Sequence, residues 1–303
     1  MMRLMMLGVA SMLMTASLAA AEPAYLPYYV VMDPPIVYPG AVVRLQVRAP
    51  RDASTGTVTI AGRRFQGEIA NGVFTGFFAV DIDTLPGPYE LRYDIGSRSG
   101  TRVVTVRARR FDDAGLWKGG ISREDQAVEE LTVRNIALLA LWSRTNLTRL
   151  WNGGFRTPVG GGNIHTPFGV RRTDDERVGA PHTAVDLVGG SGETVVASNW
   201  GTVALVGQAP NGKFVAIDHG LGLYTFYSGL GEVAVEQGRS VNGGTAIGRM
   251  PQERSVLHFG ARLGGAHVDP ITLPGIDLKV PDLPAEARRQ PKEERFRTSD
   301  YDY

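Results

Sequence analysis

Apolar residues recur at every second position along most of this chain, and that period restricts it to strands. Val43, Leu45 and Val47 alternate with polar neighbours. So do Val58 and Ile60, then Tyr89, Leu91, Tyr93 and Ile95, then Val104, Val106 and Ala108. Alternation of this kind gives a half-buried strand one apolar and one polar face. Turn clusters Tyr38-Pro39-Gly40, Ala70-Asn71-Gly72 and Pro86-Gly87-Pro88 separate the runs. Short strands so punctuated predict a β-sandwich over residues 22–110. No cluster of titratable residues in it implies chemistry, and it reads as a spacer or docking module.

The period changes between residues 111 and 152. Ser122 with Asp125 makes a capping box, and Val128, Leu131, Asn135, Leu138 or Leu139 and Trp142 mark one face of a helix. This helical linker is expected to pack against its neighbours. From Phe155 the strand pattern returns and defines a domain over residues 153–280. Thr202–Val206 and Lys213–Asp218 flank Asn211-Gly212, a hairpin signal. Leu223–Tyr227 and Leu257–Leu263 continue the alternation. Gly160-Gly161-Gly162 and Gly189-Gly190-Ser191-Gly192 lack a following Gly-Lys-Ser/Thr and read as turns rather than phosphate loops. Residues 281–303 carry five basic and six acidic side chains with little apolar content, the composition of a disordered charged tail.

Charge and cysteine content narrow the function. Lys plus Arg is 32 and Asp plus Glu is 31. That balance argues against a nucleic-acid binder, which carries a basic excess. Cysteine is absent, so Cys-ligated metal, thiol catalysis, disulfides and a lipid-anchoring cysteine are excluded. Arg3, the apolar run Leu4–Leu18 and Ala19-Ala20-Ala21 have the order of a secretory signal peptide over residues 1–21. The run is shorter than the roughly 20 residues of a membrane span. Export to the periplasm or the exterior is expected, with no membrane span after cleavage.

Five histidines are the candidate chemistry: His165, His182, His219, His258 and His267. His182 and Asp186 stand four apart in Pro181-His182-Thr183-Ala184-Val185-Asp186. In a regular strand such positions share a face but lie about 13 Å apart, too far for one metal ion. Pro181 and the glycines after Asp186 permit a bend that closes the gap. His258 lies on a predicted strand among apolar neighbours, where a lone histidine is more often a satisfied core residue than a ligand. Arg171 and Arg172 suit substrate carboxylates or a solvated surface equally, and Tyr227 suits a groove or a core. His165 reads as a loop residue. Arg288, Arg289 and Lys292 in the tail could touch an anionic polymer or remain solvated.

The order of several motifs resembles the LytM/lysostaphin-type zinc metallopeptidases, exported cell-wall enzymes of metallopeptidase family twenty-three. Phe155-Arg156-Thr157-Pro158-Val159 is followed by Thr166-Pro167-Phe168-Gly169-Val170-Arg171-Arg172 and Pro181-His182-Thr183-Ala184-Val185-Asp186-Leu187. Glu193-Thr194-Val195-Val196-Ala197 and Gly201-Thr202-Val203 come next. Val215-Ala216-Ile217-Asp218-His219-Gly220, Tyr224-Thr225-Phe226-Tyr227, Leu257-His258-Phe259 and Val268-Asp269-Pro270 complete the series. The resemblance covers residues 155–274 and implies a mostly β protein whose second domain is a LytM-like, duplicated-hybrid-motif antiparallel fold. It implies zinc as cofactor, with His182, Asp186 and His258 as ligands. It also implies peptidoglycan or wall peptides as the partner, and another cell-wall hydrolase if the role is regulatory.

Two family positions depart from the pattern. Gly229 and Val256 stand where the family has auxiliary histidines that assist water and the developing oxyanion. The loop Arg249–Ser255 also looks shortened. General acid–base assistance contributes about 10²–10⁴-fold, so this loss implies a weakly active or inactive, regulatory relative. The alternative is an active zinc endopeptidase cutting peptide cross-links, with His219 or His267 as substitute base.

Overall fold

The computed structural model describes residues 30–109, 111, 123–174, 177–253 and 256–275. The leader, the charged tail, Ser122 of the expected capping box and part of the Arg249–Ser255 loop lie outside those residues.

Alternation becomes seven antiparallel strands in the N-terminal half. They are β1 (Val31–Asp33), β2 (Val42–Arg48), β3 (Gly56–Ile60), β4 (Arg63–Ala70), β5 (Val73–Ala79), β6 (Gly87–Ile95) and β7 (Arg98–Val106). Their order across the sheet is β1-β2-β5-β4-β3-β6-β7. Val37 forms a parallel bridge to Val106, so the two ends of the sheet meet and the layer folds over its own apolar face. Val43, Leu45, Val47, Phe74, Phe78, Leu91, Ile95 and Val104 fill the interior, while Arg44 and Arg48 point to solvent. Asn71 and Gly72 both adopt positive φ (52° and 71°) between β4 and β5, as a two-residue hairpin turn with matching twist requires. Pro86-Gly87-Pro88 is less of a turn than expected. Gly87 already opens β6, where a proline at the second position is tolerated because the strand is only beginning.

The expected single helix is two: α1 (Arg123–Arg134) and α2 (Ile136–Trp142). Asn135 breaks it. Its backbone is extended, and its side-chain oxygen accepts from the N–H groups of Ala137 and Leu138, so it caps α2 rather than packing on a continuous face. Val128, Leu138, Leu141 and Trp142 are buried, while Leu139 is exposed.

The C-terminal half adds β8 (Asn163–Thr166), β9 (Arg171–Asp174), β10 (Arg177–Pro181), β11 (Ala184–Val188), β12 (Thr194–Val196), β13 (Gly201–Ala209), β14 (Gly212–Gly220) and β15 (Leu223–Leu230). Short β16 (Glu232–Val233), β17 (Ser240–Val241) and β18 (Ala246–Arg249) precede β19 (Val256–Leu263) and β20 (Ala266–Val268). The main sheet runs β17-β13-β14-β15-β19-β11-β8. Every residue of β15 is buried because both faces are covered. Tyr224 and Phe226 pack with Phe214 and Trp142 of α2 on one face, and Tyr227 packs with Phe259 on the other.

The β13–β14 hairpin forms, but its turn is Pro210-Asn211, between the paired residues Ala209 and Gly212. Gly212 has φ +134°, a conformation that favours glycine. A Cβ there would lie 2.8 Å from the Leu230 carbonyl oxygen. Asn211, beside it, is buried and bonded to the Ser228 hydroxyl.

The two halves share one apolar core. Phe77 meets Trp151 edge-to-face at 5.3 Å, and Gly264 lies under the Phe65 ring. Arg149–Glu68 and Arg171–Asp83 ion pairs, each 3.1 Å, flank the contact, which gives Arg171 a partner in the first half.

Candidate metal centre

His182 lies in the bend between β10 and β11, so the regular-strand separation of about 13 Å does not apply. Its backbone N–H donates to Val170 O at 2.9 Å, and its carbonyl accepts from Gly169 N–H at 2.7 Å. Asp186 lies within β11 and is the register partner of His258 in β19. Residues directly opposite in adjacent strands project to the same face, which places the carboxylate against the imidazole. The distances are 3.2 Å from His182 Nε2 to Asp186 Oδ1, 3.1 Å from His258 Nδ1 to the same oxygen, and 3.3 Å between the two nitrogens.

Proton accounting defines what this triangle can do. His182 Nδ1–H donates to the Pro167 carbonyl at 3.0 Å, which leaves a lone pair on Nε2 aimed at the other two ligands. Burial raises the Asp186 carboxyl, but the charge and hydrogen bonds of His182 and His258 outweigh it and hold the group below the usual carboxylate range. The three side chains are 0–2% exposed. A buried carboxylate facing two imidazoles is balanced either by an imidazolium or by a bound cation. The edges of 3.1–3.3 Å fit zinc. A tetrahedral centre with bonds near 2.0–2.1 Å has ligand–ligand edges of about 3.3 Å. Among the described residues, His182, Asp186 and His258 form the group able to hold a metal.

The remaining histidines lie elsewhere. His219 Nδ1–H donates to Trp200 O, and its Nε2 accepts from the Thr225 hydroxyl, each at 2.7 Å. Thr225 is bonded in turn to the Tyr227 hydroxyl, which accepts from Ser198 N–H. Thr225 and Tyr227 face away from Phe226 and Ser228, so His219 is on the opposite side of the sheet from His258. Burial holds its pKa at about 4. His267 pairs with Arg262, four residues along β19 from His258 and about 13 Å away, and its Nδ1 is 3.3 Å from Asp81 Oδ1. Neither lies where a substitute base is needed. His165 is in β8 rather than a loop, with Nδ1 3.0 Å from Thr166 Oγ1. Tyr227 is a core residue.

Gly229 has φ +90°, and Val256 begins β19. Beside Gly229 lies a residue that sequence reasoning treated only as a turn former. Asn211 Oδ1 accepts from the Ser228 hydroxyl at 2.5 Å, while its buried Nδ2 has no hydrogen-bond partner. Nδ2 is 3.4 Å from where a Gly229 Cβ would be. Ser228 is the register partner of His258, so Asn211, Ser228, His258 and Asp186 form one row on one face. The signal that could have located Asn211 is the Gly212 contact, which is a tertiary feature.

Residues 180–270 match the model of peptidase family M23. A protein from Pseudomonas aeruginosa assigned to peptidase M23 is 22% identical, over 78% of this chain and 94% of that one, with a TM-score of 0.58. The match extends through both halves, so the fold is shared across them. Csd3 of Helicobacter pylori is 15% identical over 83% of this chain and 76% of its own, with a TM-score of 0.38. The catalytic domain of the prophage-encoded M23 protein EnpA from Enterococcus faecalis is 22% identical over 38% and 95%, with a TM-score of 0.32. No curated protein matches the chain.

Proposed function

Because this chain belongs to the LytM-type peptidase family M23, we propose that it is an exported, zinc-binding protein of the cell envelope that engages peptidoglycan peptides and is weakly active or inactive as a hydrolase, serving a regulatory role. The observation that carries this reading is the convergence of two imidazole lone pairs and a carboxylate at 3.1–3.3 Å, beside two positions, Gly229 and Val256, that cannot move a proton.

Zinc, when bound, polarises a peptide carbonyl and lowers the pKa of water. The chain's own residues hold it. Asp186 supplies the negative charge, and the two imidazoles supply neutral donors. The Pro167 carbonyl keeps the His182 proton on Nδ1. Among the described residues, the two histidines weighed as a substitute base, His219 and His267, are engaged elsewhere, which supports the loss of acid–base help worth about 10²–10⁴-fold. Export is supported by the order Arg3, Leu4–Leu18 and Ala19–Ala21, and no described helix is long and apolar enough to cross a membrane. Peptidoglycan peptides, and a second hydrolase as regulated partner, follow from the family resemblance. The domain limits that fit this reading are a leader over 1–21, a β domain over 22–110, a helical linker over 111–152, the LytM-like domain over 153–280 and a tail over 281–303.

One observation favours an active endopeptidase instead. The unpartnered Asn211 amide is a neutral donor in the same row as His258, of the kind that stabilises a developing oxyanion. Digestion of purified peptidoglycan by the zinc-loaded protein, with His258→Ala as control, separates the two. Zinc bound without muropeptide release above the control supports the regulatory reading. Release that the control lacks establishes the endopeptidase.

A further inference from the structure

The N-terminal β domain holds no cluster of titratable residues at the metal centre, yet it grips the loop that orients one of the ligands. Phe168 follows Pro167, whose carbonyl accepts the His182 Nδ1–H. Its ring is almost fully buried and points out of its own domain into the other one. Gly40, between β1 and β2, has φ +79°, and a Cβ there would fall 2.5 Å from Phe168 Cε1. Only glycine allows the ring to lie against that backbone. The Phe111 ring meets Phe168 edge-to-face at 5.9 Å, and it covers Gly169 so closely that a Cβ at 169 would overlap it. The Arg109 guanidinium lies 5.1 Å from the Phe111 centroid and 5.8 Å from that of Phe168. It is ion-paired with buried Asp269, whose backbone N–H donates to Gly40 O at 2.8 Å.

We propose that this cross-domain clamp is a positioning device for the metal centre: Gly40, Arg109 and Phe111 brace Phe168, and Phe168 fixes the Pro167 carbonyl that holds the His182 ring and tautomer. The inference rests on His182 being a metal ligand. Its physical basis is direct. His182 is tied to the loop at its backbone N–H, its carbonyl and its ring Nδ1, through Val170, Gly169 and Pro167 respectively. Phe168 lies in the middle of those three tethers. Carbonyl partners of ligating histidines set ring orientation and basicity, and their loss costs about 10–100-fold in metal affinity. The N-terminal domain thus does more than space or dock: it completes the outer shell of the site.

The test uses the full chain, with zinc affinity measured by chelator competition and the visible spectrum of the cobalt(II) form as a report on ligand geometry. Phe168→Ala is expected to weaken zinc binding about 10–100-fold and to change the cobalt spectrum. Arg109→Ala shifts both in the same direction by less, and Phe168→Leu recovers part of the loss. Phe74→Leu, in the N-terminal core against Gly56, Gly67 and Gly76, is expected to lower the melting temperature while leaving both metal readouts unchanged. Unchanged affinity and spectrum in Phe168→Leu and Arg109→Ala would overturn the clamp, as would an equal loss in Phe74→Leu. His182→Ala separates the two readings. Retained metal there overturns the ligand assignment itself, whereas lost metal there with normal Arg109 and Phe168 variants overturns only the clamp.

Discussion

Asp186 and His258 face each other as register partners in β11 and β19, and their side chains meet at 3.1 Å although 72 residues separate them in sequence. The antiparallel ladder makes this pair. His182 joins it from the bend before β11, with its ring oriented by the hydrogen bond from Nδ1–H to the Pro167 carbonyl.

Metal content follows from that triangle. His182→Ala and His258→Ala should each abolish stoichiometric zinc binding, read as metal retained after dialysis. Chelation should lower the melting temperature of the parent, because a ligand held at 100 times its Kd adds about 2.7 kcal/mol of stability. Unchanged zinc content in both variants would sink the site assignment.

Restoring histidines at the two divergent positions should give unequal results. Val256 opens a strand and is half-buried, so Val256→His should fold and raise muropeptide release. Gly229 has φ +90°, and a Cβ there would be 3.1 Å from the Val256 carbonyl oxygen. Gly229→His should therefore cost about 1–3 kcal/mol in an unfolding titration. Its effect on release should be smaller than that of Val256→His. No gain from Val256→His would mean that the groove has diverged beyond these two residues.

Asn211→Ala removes an unpartnered buried amide along with its bond to Ser228. If Asn211 Nδ2 donates to a peptide carbonyl, capture or turnover of wall peptides should fall about tenfold, the worth of one hydrogen bond near 1.4 kcal/mol. The same change should leave zinc content unaltered. Equal peptide binding by parent and variant would assign the amide a purely structural role.

Acid should weaken the fold through His219. Its folded pKa is about 4 against 6.5 for an ordinary histidine, because burial disfavours the charged ring. Below pH 6.5 the unfolded chain takes up a proton that the folded one refuses until about pH 4, so stability falls as pH drops through that window. The slope from this residue approaches about 1.4 kcal/mol per pH unit. His219→Gln should flatten the dependence between pH 6 and 4.5 when unfolding free energies of the two proteins are compared. Parallel curves would refute the assignment.

Much of the architecture was legible from pattern. Val43, Leu45 and Val47 announce β2 by period alone, and Asn71-Gly72 announces its hairpin by the residues that tolerate positive φ. Asn135 shows the limit. By spacing it belongs to a helix face, yet its side chain competes for the backbone N–H groups of the next turn and starts a new helix. The Asn211-Gly212 signal marked the right hairpin but the turn is Pro210-Asn211, with Gly212 held by its positive φ of 134° and by the nearby Leu230 carbonyl. His219 and His267 are candidate substitute bases by sequence, and the sheet face of His219 and the strand position of His267, beside Asp81, set both apart from His258.

By itself the sequence determined the strand-rich content and the absence of thiol chemistry, which rest on side-chain type and short-range period and depend only on neighbours along the chain. His182, Asp186 and His258 are drawn together by the resemblance of ordered motifs to the LytM-type family, because spacing alone reads His258 as a core residue. The tertiary structure decided which histidines converge, which face each occupies, what fills the space beside Gly229 and how the first domain braces Phe168. Each of those is a contact between segments distant in sequence, set by strand register and domain packing, and no local pattern encodes it.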